Sequence, residues 1–222
     1  MNNKTIPSVS GYLRRNMIYV PSVIEHASGI RVNGKIIRSL VFSTDVAIIR
    51  NINADAVIAV YPFTPQLIIT QALMTAADIP VFCGVGGGVT TGKRTINLGL
   101  HAEFQGAIGV VVNAPVSNEV IDELKNTIDI PIVVTVTSEN TDIAARLEAG
   151  ANIINVSGAS RTPEIVRSIR RNFPEVPIIA TGGSSDDTIL RTIDAGANAI
   201  TYTPPSVSDL FTGVMDKYRK DS

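Results

Sequence analysis

The sequence predicts a closed (β/α)8 barrel, and three observations carry that prediction. From about Ser39 onward, short Val/Ile/Ala runs alternate with helical segments, and eight such units follow one another. The runs are continuous rather than alternating in polarity, as expected of strands buried on both faces of a parallel sheet. The chain also repeats itself. A shift of 46 positions lays Pro131 on Pro177, Thr135 on Thr181, Ser138 on Ser184, Ile143 on Ile189 and Ala149-Gly-Ala-Asn152 on Ala195-Gly-Ala-Asn198 without a gap. The repeating unit is βαβα, a quarter of a barrel. An open doubly wound sheet is the alternative arrangement of the same elements.

All 222 residues are read as one domain, with an extension at 1–35 and the barrel at 36–222. In the extension, Leu13 to Pro21 suits a short helix or strand. Arg31-Val-Asn-Gly-Lys-Ile-Ile37 holds Asn33-Gly34 between extended-type residues, a hairpin signal. That hairpin either plugs one end of the barrel or meets another subunit. Strands are assigned to 39–43, 56–61, 80–85, 107–112, 131–136, 152–156, 177–181 and 198–202. Helices are assigned to 45–52, 65–77, 91–104, 117–127, 139–149, 162–172, 185–195 and 206–219.

Bulk properties narrow the partners. Nineteen basic and twenty acidic residues leave a net charge of −1, so no global field draws the chain to nucleic acid or to an anionic membrane. The N-terminus lacks the apolar core of a signal peptide and no run is long enough to span a bilayer, which makes a cytoplasmic location the expectation. Cys83, the only cysteine, lies in an apolar run and reads as a packed thiol. His26 and His101 are too far apart in sequence to suggest a metal cluster, and no metal or cofactor is expected. Apart from Lys93, no lysine stands near a strand end, which argues against a Schiff base.

Two glycine-rich stretches are the candidate ligand sites. Pro131 to Gly150 and Pro177 to Gly196 each span 19 positions, whereas Pro80 to Gly106 spans 26. The extra residues fall at Gly84-Val-Gly-Gly-Gly-Val-Thr-Thr-Gly-Lys-Arg94, after a strand, on the face where barrel active sites are built. Gly86, Gly87, Gly88 and Arg94 are therefore candidate ligand contacts, in a loop able to close over a bound molecule, and Lys93 a candidate catalytic charge. Gly87 to Lys93 also satisfies G-x-x-x-x-G-K, but Arg94 stands where a P-loop needs Ser or Thr. The second stretch is Gly182-Gly183, followed by Ser184, Ser185 and Asp186. It suits a phosphate held by backbone amides at a helix start, with help from Thr203 and Ser206 after the last strand. Its plain structural reading is a tight turn with a helix cap.

Residues 80–210 resemble the ribulose-phosphate-binding barrel superfamily, through Ala-Thr-Gly-Gly at 180–183 and Ala-Gly-Ala-Asn-Ala-Ile-Thr at 195–201. The resemblance implies a phosphorylated metabolite at the barrel mouth, its phosphate shared between the last two strands. The last strand departs from that pattern, ending Tyr-Thr-Pro-Pro where the family places a glycine.

Few other strand ends offer chemistry. Asp45, after the first strand, is the candidate general base, and as a cap of the following helix it needs no further role. Asn113, Ser157 and Thr203 fall at equivalent strand ends and form a ring of neutral hydrogen-bonding groups suited to a polyol or carbonyl. Arg161 is a candidate partner for a second anionic group, or a surface arginine. Glu25-His26 reaches the mouth only if the extension folds over it. These readings point to an isomerase, epimerase or lyase acting on a small phosphorylated sugar or related acid. A non-catalytic sensor of such a metabolite and a nucleotide or phosphoester hydrolase using residues 87–93 are the alternatives. Homo-oligomerisation stays open.

Overall fold

The computed structural model describes residues 7, 9, 11, 12 and 17–220. Strands β1 (Ile30–Val32) and β2 (Lys35–Ile37) form an antiparallel hairpin turned by Asn33 and Gly34, both at positive φ, as a two-residue turn demands. Eight parallel strands then close a barrel: β3 (Ser39–Phe42), β4 (Ala56–Ala59), β5 (Val81–Gly86), β6 (Gly109–Val112), β7 (Ile132–Val136), β8 (Ile153–Val156), β9 (Ile178–Thr181) and β10 (Ala199–Tyr202). The helices between and after them are α1 (Val46–Ile49), α2 (Leu67–Ala76), α3 (Lys93–Phe104), α4 (Asn118–Lys125), α5 (Ile143–Ala149), α6 (Thr162–Asn172), α7 (Asp186–Asp194) and α8 (Val207–Lys220).

Six helices (α1–α5 and α7) are shorter than the sequence suggests, and in α1, α3 and α5 a local reason is visible. α1 is a single turn because the Asn51 amide bonds back to the Ala47 carbonyl and Ile52 then leaves to pair with Ile18. α3 starts at Lys93 because Gly92 sits at φ 56°. α5 starts at Ile143 because residues 138–141 form their own turn and Asp142 caps the helix. Of the segment from Leu13 to Pro21, residues 13–16 lie outside the described ones.

The 46-residue repeat has a physical basis. A proline opens β7 and β9, and the next amide, Ile132 or Ile178, donates to the side chain of Asn152 or Asn198, which begins the following unit. Gly106, Gly150 and Gly196 all take positive φ where a helix ends, the conformation only glycine adopts cheaply.

Ladder register sorts the barrel interior into layers. Going round the ring, each step to the next alternate strand moves the register by two residues. The lowest layer holds Ala56, Gly109, Ile153 and Ala199; above it lie Leu40, Phe82, Val133 and Ile179. Three of the four lowest residues are Ala or Gly, which leaves room at the N-terminal end. Ile30, Val32 and Ile37 of the hairpin fill that room, joining the interior core. The hairpin is thus the plug of the N-terminal end, tied there by the Gly29 amide to the Asn198 carbonyl. The 3-10 turn at Ser22–His26 buries Ile24 in the outer core, with Glu25 and His26 exposed. It does not fold over the C-terminal mouth, because the chain beyond it runs into the plug at the opposite end.

α8 differs from the other long helices, since no described side chain of it is buried. Phe211 is 64% exposed.

Candidate functional site at the C-terminal mouth

Three further layers lead from the core to the C-terminal mouth. The first contains Ile58, Val111, Asn155 and Thr201; the second Phe42, Gly84, Thr135 and Thr181; the rim Val60, Asn113, Ser157 and Thr203. The β3–β6 side is therefore apolar or bare up to Asn113, whereas the β7–β10 side carries hydroxyls and an amide. Asn155 and Thr201 are buried polar residues, 8% and 7% exposed. Asn155 donates through Nδ2 to Thr135 Oγ1 at 3.2 Å, and Thr181 donates to Ser157 Oγ at 3.4 Å. Asn155 Oδ1 and Thr201 Oγ1 have no hydrogen-bond partner. Since a buried polar atom without a partner costs about 1–3 kcal/mol, two in one layer require an explanation.

The sequence reading of the strand ends missed Thr135, Asn155, Thr181 and Thr201. The signal was present, because the shift that lays Thr135 on Thr181 also lays Asn155 on Thr201 and Ser157 on Thr203. Threonine is an ordinary strand former, so its hydroxyl draws no notice until the ladder shows which face it takes.

On the β4–β6 side the mouth continues into a cavity of about 370 Å³, lined by Val60, Tyr61, Phe63, Gly84, Gly87 and Asn113 among others. The glycine-rich loop forms one wall. It is a compact turn: the Gly87 amide donates to the Thr90 carbonyl at 2.8 Å, and the buried Thr95 hydroxyl donates to the same oxygen at 3.1 Å. A side chain on Gly86 would collide with Thr95, and one on Gly87, at φ 103°, would meet the backbone of Asn113. Gly88 takes φ 71° with open space around it. The longer insertion is spent partly on the strand itself, since β5 runs six residues with a register shift between Gly84 and Gly86. Lys93 and Arg94 are exposed on the first turn of α3 and do not line this cavity.

At Gly182-Gly183 the geometry gives both glycines structural reasons. The Gly182 amide donates to the Thr201 carbonyl at 3.4 Å, and a Cβ there would lie 2.6 Å from Ile200. Gly183 turns at φ 84° into a reciprocal cap in which Ser185 and Thr188 satisfy each other. Asp186 and Asp187 occupy the first turn of α7, where their charge complements the helix dipole and opposes a second anion. Gly182, Gly183 and Ser184 border a separate cleft of about 370 Å³ between α6 and α7 that also includes Arg167 and Arg191.

The remaining predicted residues are placed as follows. Asp45 Oδ1 accepts from the Ala47 and Ile48 amides at 2.8 and 3.2 Å, so this oxygen caps α1. Ser206 is engaged with Asp209, whose carboxyl its hydroxyl and amide hold below the ordinary range. Thr203 and Ser157 are exposed at the rim, and Asn113 is half-buried against Gly87. Arg161 pairs with Glu139 at 2.6 Å across the loops after β7 and β8. His101 packs edge-on against Phe104 on α3. Burial pushes the Cys83 thiol up to about 12, and strand alternation turns it into the outer core. Among the described residues, no group of three or more His, Cys, Asp or Glu is arranged to hold a metal ion. None of the helices is long and apolar enough to cross a membrane, again among the described residues.

No protein-family model matches the chain, and no curated protein sequence matches it. Solved structures do. A Burkholderia cenocepacia J2315 protein assigned as a phosphonomutase is similar with a TM-score of 0.64 at 15% identity, over 86% of this chain and 95% of that one. A phosphonopyruvate hydrolase gives 0.64 at 13% identity over 90% and 86%. A 2,3-dimethylmalate lyase of the PEP mutase/isocitrate lyase superfamily gives 0.61 at 14% identity over 94% and 85%. These neighbours do not carry the ribulose-phosphate-binding name that residues 180–183 and 195–201 suggest. What the chain shares with them is the (β/α)8 barrel.

Proposed function

We propose that the C-terminal mouth binds a small phosphorylated sugar or a related hydroxylated acid, and that the protein is an enzyme of isomerase, epimerase or lyase type. The observation that carries the binding reading is the neutral polar arc of β7–β10. It faces, across the barrel interior, the side on which Val60, Gly84 and Asn113 line an open cavity, and it ends in two buried atoms without partners. Such groups match hydroxyl and carbonyl oxygens by hydrogen bonding alone. The enzyme class is supported by fold neighbours named for phosphonopyruvate and dimethylmalate, both small acids. Asp45 is the proposed base, its Oδ1 engaged in the cap.

A specific observation favours a second reading, a non-catalytic sensor. Among the described residues, Tyr61 is the one titratable side chain lining the cavity, and its hydroxyl accepts from the Gln66 amide. The hydrolase reading has less support, since the Gly87 amide is turned into the loop's own bridge instead of a phosphate cradle.

Thermal denaturation against a panel of sugar phosphates and hydroxy acids tests the binding. A ligand present at 100 times its Kd stabilises by about 2.7 kcal/mol, and a panel without any such shift removes the proposal. With a ligand in hand, deuterium uptake from solvent at a carbon next to its carbonyl identifies the enzyme. Binding without uptake, unchanged in Asp45→Asn, identifies the sensor.

A further inference from the structure

We infer that the inner end of the mouth is a hydroxyl-recognition floor, which takes the neutral polyol end of the ligand and leaves its anionic group at the rim. This rests on the ligand-binding reading of the mouth and names the polarity of what enters it.

The argument starts from Asn155. Its Nδ2 spends one of its two hydrogens on Thr135, and the atom left without a partner, Oδ1, only accepts. An acceptor buried in a residue that is 8% exposed is satisfied by a hydroxyl hydrogen and repelled by a carboxylate or phosphoryl oxygen. Thr201 Oγ1, in the same layer and also unpartnered, both donates and accepts, so the two atoms together suit an O–H group.

Charge points the same way. Among the described residues, no interior position of the barrel layers carries a charged side chain. Arg161 is held by Glu139, and Lys93 and Arg94 stand on α3. An anion driven to this depth would lose its hydration with no cation to replace it, whereas a hydroxyl loses far less. The layer above holds Phe42, Gly84, Thr135 and Thr181, of which Gly84 supplies no side chain and Thr135 and Thr181 are half-buried. The anionic group then lies at the level of Ser157 and Thr203, in contact with water.

Isothermal titration of the full chain with two probes tests the inference: ribitol phosphate, whose far end is a polyol, and phosphoenolpyruvate, which has no hydroxyl. Ribitol phosphate is expected to bind at least about tenfold more tightly, the worth of one satisfied hydrogen bond. Asn155→Leu and, as the isosteric second variant, Thr201→Val should each remove that advantage while leaving the affinity for phosphoenolpyruvate unchanged. Tighter binding of phosphoenolpyruvate overturns the hydroxyl floor and leaves the mouth as an acid site. A ribitol phosphate affinity indifferent to both variants overturns the placement at Asn155 and Thr201. If neither probe binds, the ligand reading of the mouth falls and this inference with it.

Discussion

The two sides of the barrel interior are built differently, although the same strand and helix alternation builds both. Towards the mouth, β3–β6 contribute Phe42, Ile58, Val60, Gly84 and Val111, with Asn113 following β6 at the rim, and β7–β10 contribute Thr135, Asn155, Ser157, Thr181, Thr201 and Thr203. The polar side coincides with the gapless repeat, in which each interior polar position of β7 and β8 recurs 46 residues later in β9 and β10. The apolar side coincides with the irregular copy, in which the glycine-rich insertion opens a cavity. One side thus supplies hydrogen-bonding groups and the other supplies space. A ligand needs both.

The sharpest way to break this comparison is within one layer, since Ile58 and Asn155 occupy the same height on opposite sides. Ile58→Ala should destabilise by about 2–5 kcal/mol, because it empties a closely packed position that is 2% exposed. Asn155→Leu should change stability by less than about 1 kcal/mol, because removing a buried acceptor that has no partner offsets the loss of the Nδ2 bond to half-buried Thr135. Urea unfolding of both variants measures the difference. An Asn155→Leu loss as large as that of Ile58→Ala would show that the polar layer serves the fold.

Next in size is the glycine wall. Gly87→Ala should cost about 2 kcal/mol or more, since its Cβ meets the Asn113 backbone at positive φ, whereas Gly88→Ala, with open space around it, should cost about 1 kcal/mol. Equal losses in the denaturation midpoints would mean that the wall is not a fixed part of the cavity.

The smallest effect is confined to alkaline pH. The Cys83 thiol has a folded pKa near 12 against an ordinary 9.0, so the folded state holds its proton more tightly than the unfolded state does. Its contribution is fully present below pH 9.0 and is lost as pH rises towards 12. Relative to Cys83→Ala, the native chain should therefore lose stability with a steeper slope across that window. Parallel slopes would contradict burial on the outer face of β5.

How much of this was legible in the sequence follows from the same contrast. The barrel could be read because Pro131/Pro177 and Gly150/Gly196 bracket each unit, and because strands buried on both faces need no polar alternation. That very absence hid the site. In Val-Val-Thr-Val or Ile-Ile-Asn-Val, nothing local says which residues face inward, and only the ladder register brings Asn155 and Thr201 into one layer. Gly182-Gly183 stood out for the opposite reason. Paired glycines look like a ligand cradle, and packing gives a second reason for them, since Ile200, Ile189 and Thr188 lie where their side chains would be. Asp45 was legible in both its readings, and its Oδ1 makes the cap.

A crystal structure of the chain with ribitol phosphate tests the central claim most directly. The account predicts a ligand hydroxyl about 2.7–3.0 Å from Asn155 Oδ1 or Thr201 Oγ1, with the phosphate at the level of Ser157 and Thr203. Ordered water on those two atoms with the mouth otherwise empty, or the phosphate against them, would contradict it.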